Sequence, residues 1–287
     1  MPEALESIRI QNASYHLFEL LIVDNNSRDN TASIVQTFIR QNPQIKAYYF
    51  FEENKGLSFA RNRGIAEAAA PVIAYIDDDA ILAPGYIDHL ASFFDSYPQA
   101  IGSGGRVIPK YESGSPPPWM NKYLNGFVGY HSFGDEILLY HPKMKYPPGC
   151  NMAYKKDQLL QCGGFNNELK FRSDDKYIFH KMKAISNQIY YVPEASLFHY
   201  IDAERLTFEN FKKLFSKTGN EEKIRSRSEG GTFAVFKKGI EFIVKFNVSI
   251  LLYFLFVLKG EGIKGKYVFL SQWFTLKGFF KKEVFVR

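Results

Sequence analysis

Between residues 17 and 76 the chain alternates short apolar runs with segments whose apolar residues recur at helical spacing, a pattern that few architectures satisfy. "LFELLIVD" reads as a buried strand over residues 17–23 that runs into the Asp- and Asn-rich turn "DNNSRDNT". "DNTASIVQTFIRQNP" has the apolar spacing of a helix and stops at Pro43. "IKAYYFF" and "PVIAYI" are two further strands, with "GLSFARNRGIAEAAA" between them as a Gly-started helix. Strand, helix, strand, helix, strand predicts an α/β fold, a mostly parallel sheet flanked by helices. Ligands of such sheets bind beyond the carboxyl ends of the strands, where residues 24–27 and 77–79 stand.

The second of these ends carries three adjacent aspartates, "YIDDDAILAP". Charges packed so closely repel and require compensation by solvent, basic partners or a cation. One aspartate capping the helix that begins near Pro84 would be ordinary, but a cap needs only one. Carboxylates one residue apart at a strand end can jointly hold Mg²⁺ or Mn²⁺, hard ions that also accept phosphate oxygens, which makes Asp77 and Asp79 candidate metal ligands. The turn at Asp24 and Asn25 is by itself a common Asx motif, and its position at the end of a neighbouring strand draws Asp24 toward the same ligand. Lys55, Arg61 and Arg63 lie near that edge and suit a phosphate, although cations on a helix are commonly solvated surface.

A second acidic pair, Asp174 and Asp175, lies in the helix-like "FRSDDKY" at 171–177. Surface acids are the ordinary reading. Transfer to a hydroxyl, however, needs a carboxylate distinct from the metal ligands to remove the acceptor proton, and this pair is placed to supply one. His199 in "LFHY" ends a strand-like segment and stands open between a packed core residue and a metal ligand.

At 287 residues and 46% hydrophobic content the chain is long enough for one sizeable α/β domain and an appendage. The net charge of +6 is unevenly shared: residues 203–287 hold 17 Lys and Arg against eight Asp and Glu, so the rest sums to −3. Two cysteines, Cys150 and Cys162, are too few for a disulfide framework and read as buried thiols in a reducing compartment. Residues 1–12 are polar and lack the apolar core of a signal peptide, so the body is expected in the cytosol. "GYIDHLASFFDSYP" reads as a helix, "ESGSPPPW" as an irregular loop that could serve as a lid or acceptor gate, and "SEGG" at 228–231 as a domain boundary.

Beyond that boundary, residues 233–285 interleave 14 aromatic residues with lysines. The longest uninterrupted apolar piece, "ILLYFLFVL", falls short of the roughly 20 residues of a spanning helix. A basic, aromatic helical segment lying on an anionic bilayer is therefore expected, with a helical pair packed on the body as one alternative and a marginal span from Gly239, opposed by Glu241, Lys245 and Asn247, as another. Its Phe residues follow apolar clusters rather than a base-stacking groove, which disfavours nucleic acid as a partner.

Taken in order, "LIVDNNSRDNT", "NKGLSFARNRGI", "VIAYIDDDA", "GCNMAYKK", "CGGFNNELKFRSDD" and "HYIDAERLTFENF" resemble the family 2 glycosyltransferases of GT-A fold over about residues 4–225. The resemblance implies transfer of a sugar from a nucleotide-diphosphate donor, a UDP-sugar being favoured, to a hydroxyl of a glycan or lipid-linked acceptor, with inversion and with Mg²⁺ or Mn²⁺. It assigns Asp77 and Asp79 to the metal motif, Asp77 or Asp78 to the ribose, and Asp24 to the base or ribose. Arg61 falls at the nucleotide, Gly149, Asn151 and Gly164 along the donor-sugar and acceptor pocket, and Asp175, preceded by Asp174, at the catalytic base; Asn25 and Lys55, beside Asp24 and Arg61, are expected at the donor from their own position. Three departures accompany it: the family's first strand is expected to be missing, Asn166 stands in place of an acid, and Asn25 stands where some relatives have Asp.

The resulting expectation is a GT-A domain over residues 1–227 and a membrane-surface tail over 228–287. It describes a metal-dependent inverting hexosyltransferase of cell-surface polysaccharide synthesis, cytoplasmic and peripheral to the inner face of the cell membrane. A non-catalytic nucleotide-sugar-binding or membrane-docking relative is the rival from another class. A nucleotidyltransferase is the enzymatic rival, and the Gly-rich phosphate loop expected near its start is not seen.

Overall fold

The structure, a computed structural model, describes residues 1–11 and 18–281; Leu17 of the expected first strand and residues 282–287 of the tail lie outside the described residues. The chain forms two compact units. One comprises Met1–Lys110, Gly129–Lys170 and Asp174–Tyr200, and the other Tyr111–Val128, Phe171–Ser173 and Ile201–Arg287.

The first unit opens with helix α1 (Pro2–Arg9), whose Pro stands in the first turn where a missing N–H costs nothing. Strand β1 (Leu20–Asp24) pairs parallel with β2 (Ala47–Phe51), placing Asp24 opposite Phe51. Helix α2 (Thr31–Gln41) connects them, and Val35 and Phe38 on its inner face pack with Leu5, Ile22 and Ile45. Helix α3 (Leu57–Glu67) follows Gly56, whose φ of 143° falls in the region that favours glycine.

Strand β3 (Val72–Tyr75) delivers the chain to the three aspartates, and β4 (Ala80–Leu82) leaves them. Helix α4 (Tyr86–Ser96), β5 (Gly102–Tyr111), β6 (Leu138–Leu139), β7 (Met152–Lys155), helices α5 (Lys156–Gln161) and α6 (Asp174–Ile185) and the long β8 (Ile189–Ile201) complete the set. Six of these strands form a sheet of order β3-β7-β5-β8-β4, with β6 on β8. Met152, Tyr154, Ile178, Met182 and Tyr191 are fully buried in its principal core.

A mixed α/β fold with helices flanking a sheet is therefore present, as the alternating pattern predicts. The strand directions are where it differs from a mostly parallel sheet. β1 and β2 run parallel, whereas β3–β7, β5–β7, β4–β8 and β6–β8 pair antiparallel. The physical reason is that β3, β4, β5 and β6 each pair with a strand far along the chain, β7 or β8, and apolar spacing fixes a strand's faces but not the direction in which it meets a distant partner.

The second unit is built on two helical stretches, α7 (Phe208–Leu258) and α8 (Gly262–Phe280). Thr207 caps α7, accepting a hydrogen bond from Asn210 N–H. Gly230 and Gly231 leave helical geometry and break α7 within the "SEGG" stretch. The expected boundary at 228 is thus a kink inside this unit, because residues before it already pack on α8. A β-carbon on Gly219 would stand 2.0 Å from the Thr275 carbonyl oxygen, and one on Gly278 2.0 Å from that of Ser216. Backbone approaches backbone there, and no flexible side chain can give way. Gly278→Ala is accordingly expected to destabilise the protein by roughly 1–3 kcal/mol, read as a lower midpoint in chemical denaturation. Trp119, Phe127, Phe211 and Tyr267 fill the aromatic core nearby, with Trp119 and Tyr267 stacked at 4.5 Å.

Candidate active site

The three aspartates form a tight turn between β3 and β4, closed by Ala80 N–H donating to the Asp77 carbonyl at 3.0 Å. The side chains then part. Asp78 is exposed. Asp79 turns toward β8, where Ala80 lies opposite His199, and its Oδ2 comes to 3.1 Å from His199 Nε2. His199 is buried, and Gly129 backs its ring so closely that a β-carbon there would stand 2.8 Å from Nδ1. His199 is thus packed in the interior and at the same time meets Asp79.

Asp77 points to Arg61 on α3, with Nη2 at 3.4 Å. Arg61 is buried, and its other nitrogen, Nη1, pairs with Asp174 at the first turn of α6. Arg61 and Asp174, 113 positions apart in the chain, are thereby joined, and Asp77 shares the same guanidinium. Arg61 is therefore a tie inside the protein rather than an outward phosphate contact. Tyr75 and Phe165 flank it, with ring centres 6.0 and 5.6 Å from its guanidinium carbon. Gly149 is required at this point, since a β-carbon would lie 2.4 Å from Arg61 Nη2. Asn62, the next residue on α3, clamps the 164–167 loop: Phe165 N–H donates to its Oδ1 at 2.8 Å, and its amide donates to the Phe165 carbonyl and to Asn167 Oδ1.

These pairings govern the charges. Burial lowers the Arg61 pKa, but the carboxylates of Asp174, Asp77 and Asp175 outweigh it and hold the guanidinium firmly protonated. Burial, then the negative charge of Asp174, push Asp175 above the ordinary carboxylate value, with Arg61 opposing. Asp77 is likewise pushed up by burial against the pull of Arg61, although its side chain remains 37% exposed. Both carboxyls thus hold a proton more readily than an exposed aspartate does.

At the end of β1, both oxygens of buried Asp24 are engaged, Oδ1 by Ser27 N–H and Oδ2 by the Tyr49 hydroxyl at 2.7 Å. Burial works against its charge and these hydrogen bonds more than restore it, so its pKa lies below the ordinary value; Tyr49 in turn is pushed up to about 12. Asn25 ties the loops together through the Asn54 carbonyl and Gly56 N–H, and Lys55 is exposed. Asn151 is buried, with its amide donating to the carbonyls of Arg106 and Ala195 and accepting from the Tyr86 hydroxyl. The side chain of Asn151 thus serves the scaffold behind the site. Gly164 sits at φ 69° against Asn62. Cys150 is buried and Cys162 half-buried, both as free thiols.

Among the described residues no three His, Cys, Asp or Glu side chains form a ready metal cluster. The donor set nevertheless fits a hard divalent ion. Asp79 and His199 present one oxygen and one nitrogen about 3 Å apart, the spacing of neighbouring ligands on a six-coordinate ion with bonds of about 2.1 Å. Tyr49, Asn62, Tyr75 and Phe165 were not singled out in the sequence, because aromatic residues in strands and loops and a helix asparagine carry no local mark of a site.

The family model described as "Glycosyl transferase family 2" matches residues 1–160. The chain belongs to that family. Among curated relatives, the glucosyl-dolichyl phosphate glucuronosyltransferase of Haloferax volcanii is 26% identical over 178 residues, 61% of this chain and 54% of that protein. A GalNAc(5)-diNAcBac-PP-undecaprenol beta-1,3-glucosyltransferase of Campylobacter jejuni is 32% identical over 92 residues, 31% of this chain and 28% of the relative. The chain thus spans about half or less of the length of these two relatives. Among solved structures, the mannosyltransferase PcManGT from Pyrobaculum calidifontis in complex with GDP-Man and Mn²⁺ superimposes with a TM-score of 0.63 at 14% identity, over 98% of this chain and 84% of that one. S. aureus TarS 1-349 gives 0.55 at 17% identity, over 94% and 86%. The family 2 chain therefore shares the GT-A fold of these transferases.

Proposed function

We propose that this family 2 glycosyltransferase moves a sugar, with inversion, from a nucleotide-diphosphate donor to a hydroxyl of a lipid-linked or glycan acceptor in cell-surface polysaccharide synthesis. The observation that carries the reading is the Arg61 tie, which joins the acid pair of α6 to the aspartates after β3. In this reading Asp175 removes the proton of the attacking hydroxyl while Asp174, held by Arg61, keeps the pair in register. Asp24 and Asn25 receive the nucleoside, with Asp78 on the ribose side. Asp79 and His199, with Asp77 beside them, would hold Mg²⁺ or Mn²⁺. Such an ion neutralises charge that builds on a departing diphosphate. One displacement with the base opposite the leaving group gives inversion. The printed names of the relatives, which include a dolichyl phosphate and a PP-undecaprenol substrate, support the lipid-linked acceptor class.

The test is nucleotide release from UDP-glucose, UDP-GlcNAc, UDP-glucuronate and GDP-mannose in the presence of a bacterial lipid extract, with Mn²⁺ or with EDTA. Release from at least one donor, lost in EDTA and lost in Asp79→Ala, is expected. Binding of every donor without turnover favours a non-catalytic relative.

The same proposal places the enzyme at the inner face of an anionic membrane. Phe233, Phe236, Leu251, Phe254 and Leu258 on α7 are exposed, while Gly239, Phe242 and Ser249 on its other side are buried. The helix is long and apolar enough to cross a membrane by length and composition, since 239–258 contains only Glu241 and Lys245 as charged residues. Eight lysines from 237 to 281 flank this apolar surface and favour acidic headgroups. Flotation with phosphatidylcholine vesicles containing phosphatidylglycerol should carry the protein upward, and Leu251→Glu with Phe254→Glu should leave it at the bottom.

A further inference from the structure

Tyr75 on β3 and Tyr154 on β7, both in the first unit, are 8% and 0% exposed, and among the described residues no group hydrogen-bonds to either phenol oxygen. A buried polar atom left unpaired costs free energy comparable to a lost hydrogen bond, so native folds rarely keep one. Here there are two, and they are neighbours. Ile73 lies opposite Tyr154 and Tyr75 opposite Met152 in the antiparallel pairing of β3 with β7, which puts both tyrosines on one face of the sheet as a diagonal pair.

Their rings are held in place. A β-carbon on Gly102 would stand 2.3 Å from Tyr154 Cδ1, so that ring lies against the backbone of β5. Tyr75 meets Phe165 edge to face at 5.3 Å and stands beside Arg61. Ile178 and Met182 of α6 pack in the same core as both tyrosines. Asp174, Ile178 and Met182 are buried at intervals of four residues and form one stripe along α6, so the acid pair is the head of the helix that packs on the two phenols. Burial raises the pKa of both phenols; the Asp175 charge raises Tyr154 further, and Arg61 only partly opposes burial at Tyr75. Both therefore keep their protons and can donate.

We infer that a water is bound between Tyr75 and Tyr154 and ties them to the acid pair at the head of α6, which makes the two phenols positioning residues for Asp175. A water can accept from both hydroxyls and still donate two hydrogen bonds, and the carboxylates of Asp174 and Asp175 are acceptors at the edge of this core. Packing alone does not call for the hydroxyls, since phenylalanine would fill the same space. The inference rests on Asp175 being the base, as proposed above.

The test joins diffraction to kinetics. High-resolution diffraction from crystals of the enzyme should show a water within hydrogen-bonding distance of both phenol oxygens and of an Asp174 or Asp175 oxygen. No water there, or the two hydroxyls bonded directly to each other, overturns the inference. Nucleotide release from the fastest of the four donors named above, per UDP-binding site counted by calorimetry, is followed for Tyr75→Phe, Tyr154→Phe and the double variant. Tyr154→Phe should lose about five- to tenfold in kcat with donor KM within about twofold, and the double variant should lose little more than the larger single loss, because each removes the same water. Unchanged kcat in Tyr154→Phe, or losses that multiply in the double variant, overturns the positioning role. Tyr154→Phe should also lower the urea midpoint, whereas removal of a truly unpaired hydroxyl would raise it and contradict the bound water. Asp175→Asn run alongside separates the two levels. If it turns over normally, the base assignment falls and diffraction alone decides the water; if it is inactive while Tyr154→Phe is normal, only the positioning claim falls.

Discussion

Arg61→Met is expected to destabilise the protein by about 3–5 kcal/mol and to cut turnover of the remaining folded enzyme by at least about a hundredfold. The stability loss comes from Asp174, whose side chain is 3% exposed and would be left as a buried charge without its paired cation. Asp77, 37% exposed, can turn to water and contributes little to that loss. The catalytic loss has a different origin. Without the guanidinium, the acids after β3 and those opening α6 have no common anchor, and the base drifts from the reacting hydroxyl. Arg61→Lys should restore part of the stability and little of the rate, because an ammonium cannot reach in two directions as the planar fork does. Urea denaturation and kcat per UDP-binding site measure the two effects separately.

With Asp175 as the proposed base acting on the acceptor hydroxyl, Asp175→Asn is expected to lower kcat by about 10²–10⁴ while donor affinity stays near the wild-type value. The pH profile carries the sign. Only the ionised carboxylate accepts a proton, and burial with the Asp174 charge raises the Asp175 pKa. The acid limb of kcat/KM in the wild-type enzyme should therefore fall at a pH above the ordinary aspartate value and vanish in Asp175→Asn. Arg61 holds that pKa down. Its removal should move the limb to higher pH, and a limb moving lower would contradict the arrangement.

Local periodicity and turn chemistry made much of this readable in the sequence. β1, α2, β2, α3 and β3 follow from apolar spacing and from punctuation at Pro43, Gly56 and Pro71. Asp77–Asp79 stood out because three adjacent charges are hard to explain otherwise, and Asp174–Asp175 because transfer chemistry asks for a second acid. What spacing could not convey is pairing at a distance. That Arg61 faces inward, between Tyr75 and Phe165, depends on a loop about a hundred residues later that Asn62 clamps in place. That Asp79 meets His199 depends on the antiparallel register of β4 on β8. The antiparallel strands were missed for a related reason: β7 and β8 are apolar runs whose direction no local signal states. The bend at Gly230–Gly231 was read as a boundary because a glycine pair marks a break in a helix but not which residues pack on either side.

The claim at the centre of this account is that both acidic sets serve one nucleotide sugar. Diffraction recorded at the manganese edge, from crystals of the enzyme soaked with UDP and Mn²⁺, tests it most directly. The account predicts an anomalous peak bonded to Asp79 and His199 and to the diphosphate, with the Asp175 carboxyl facing the space a sugar would fill. A peak elsewhere, or an Asp175 carboxyl turned away from that space, would contradict it.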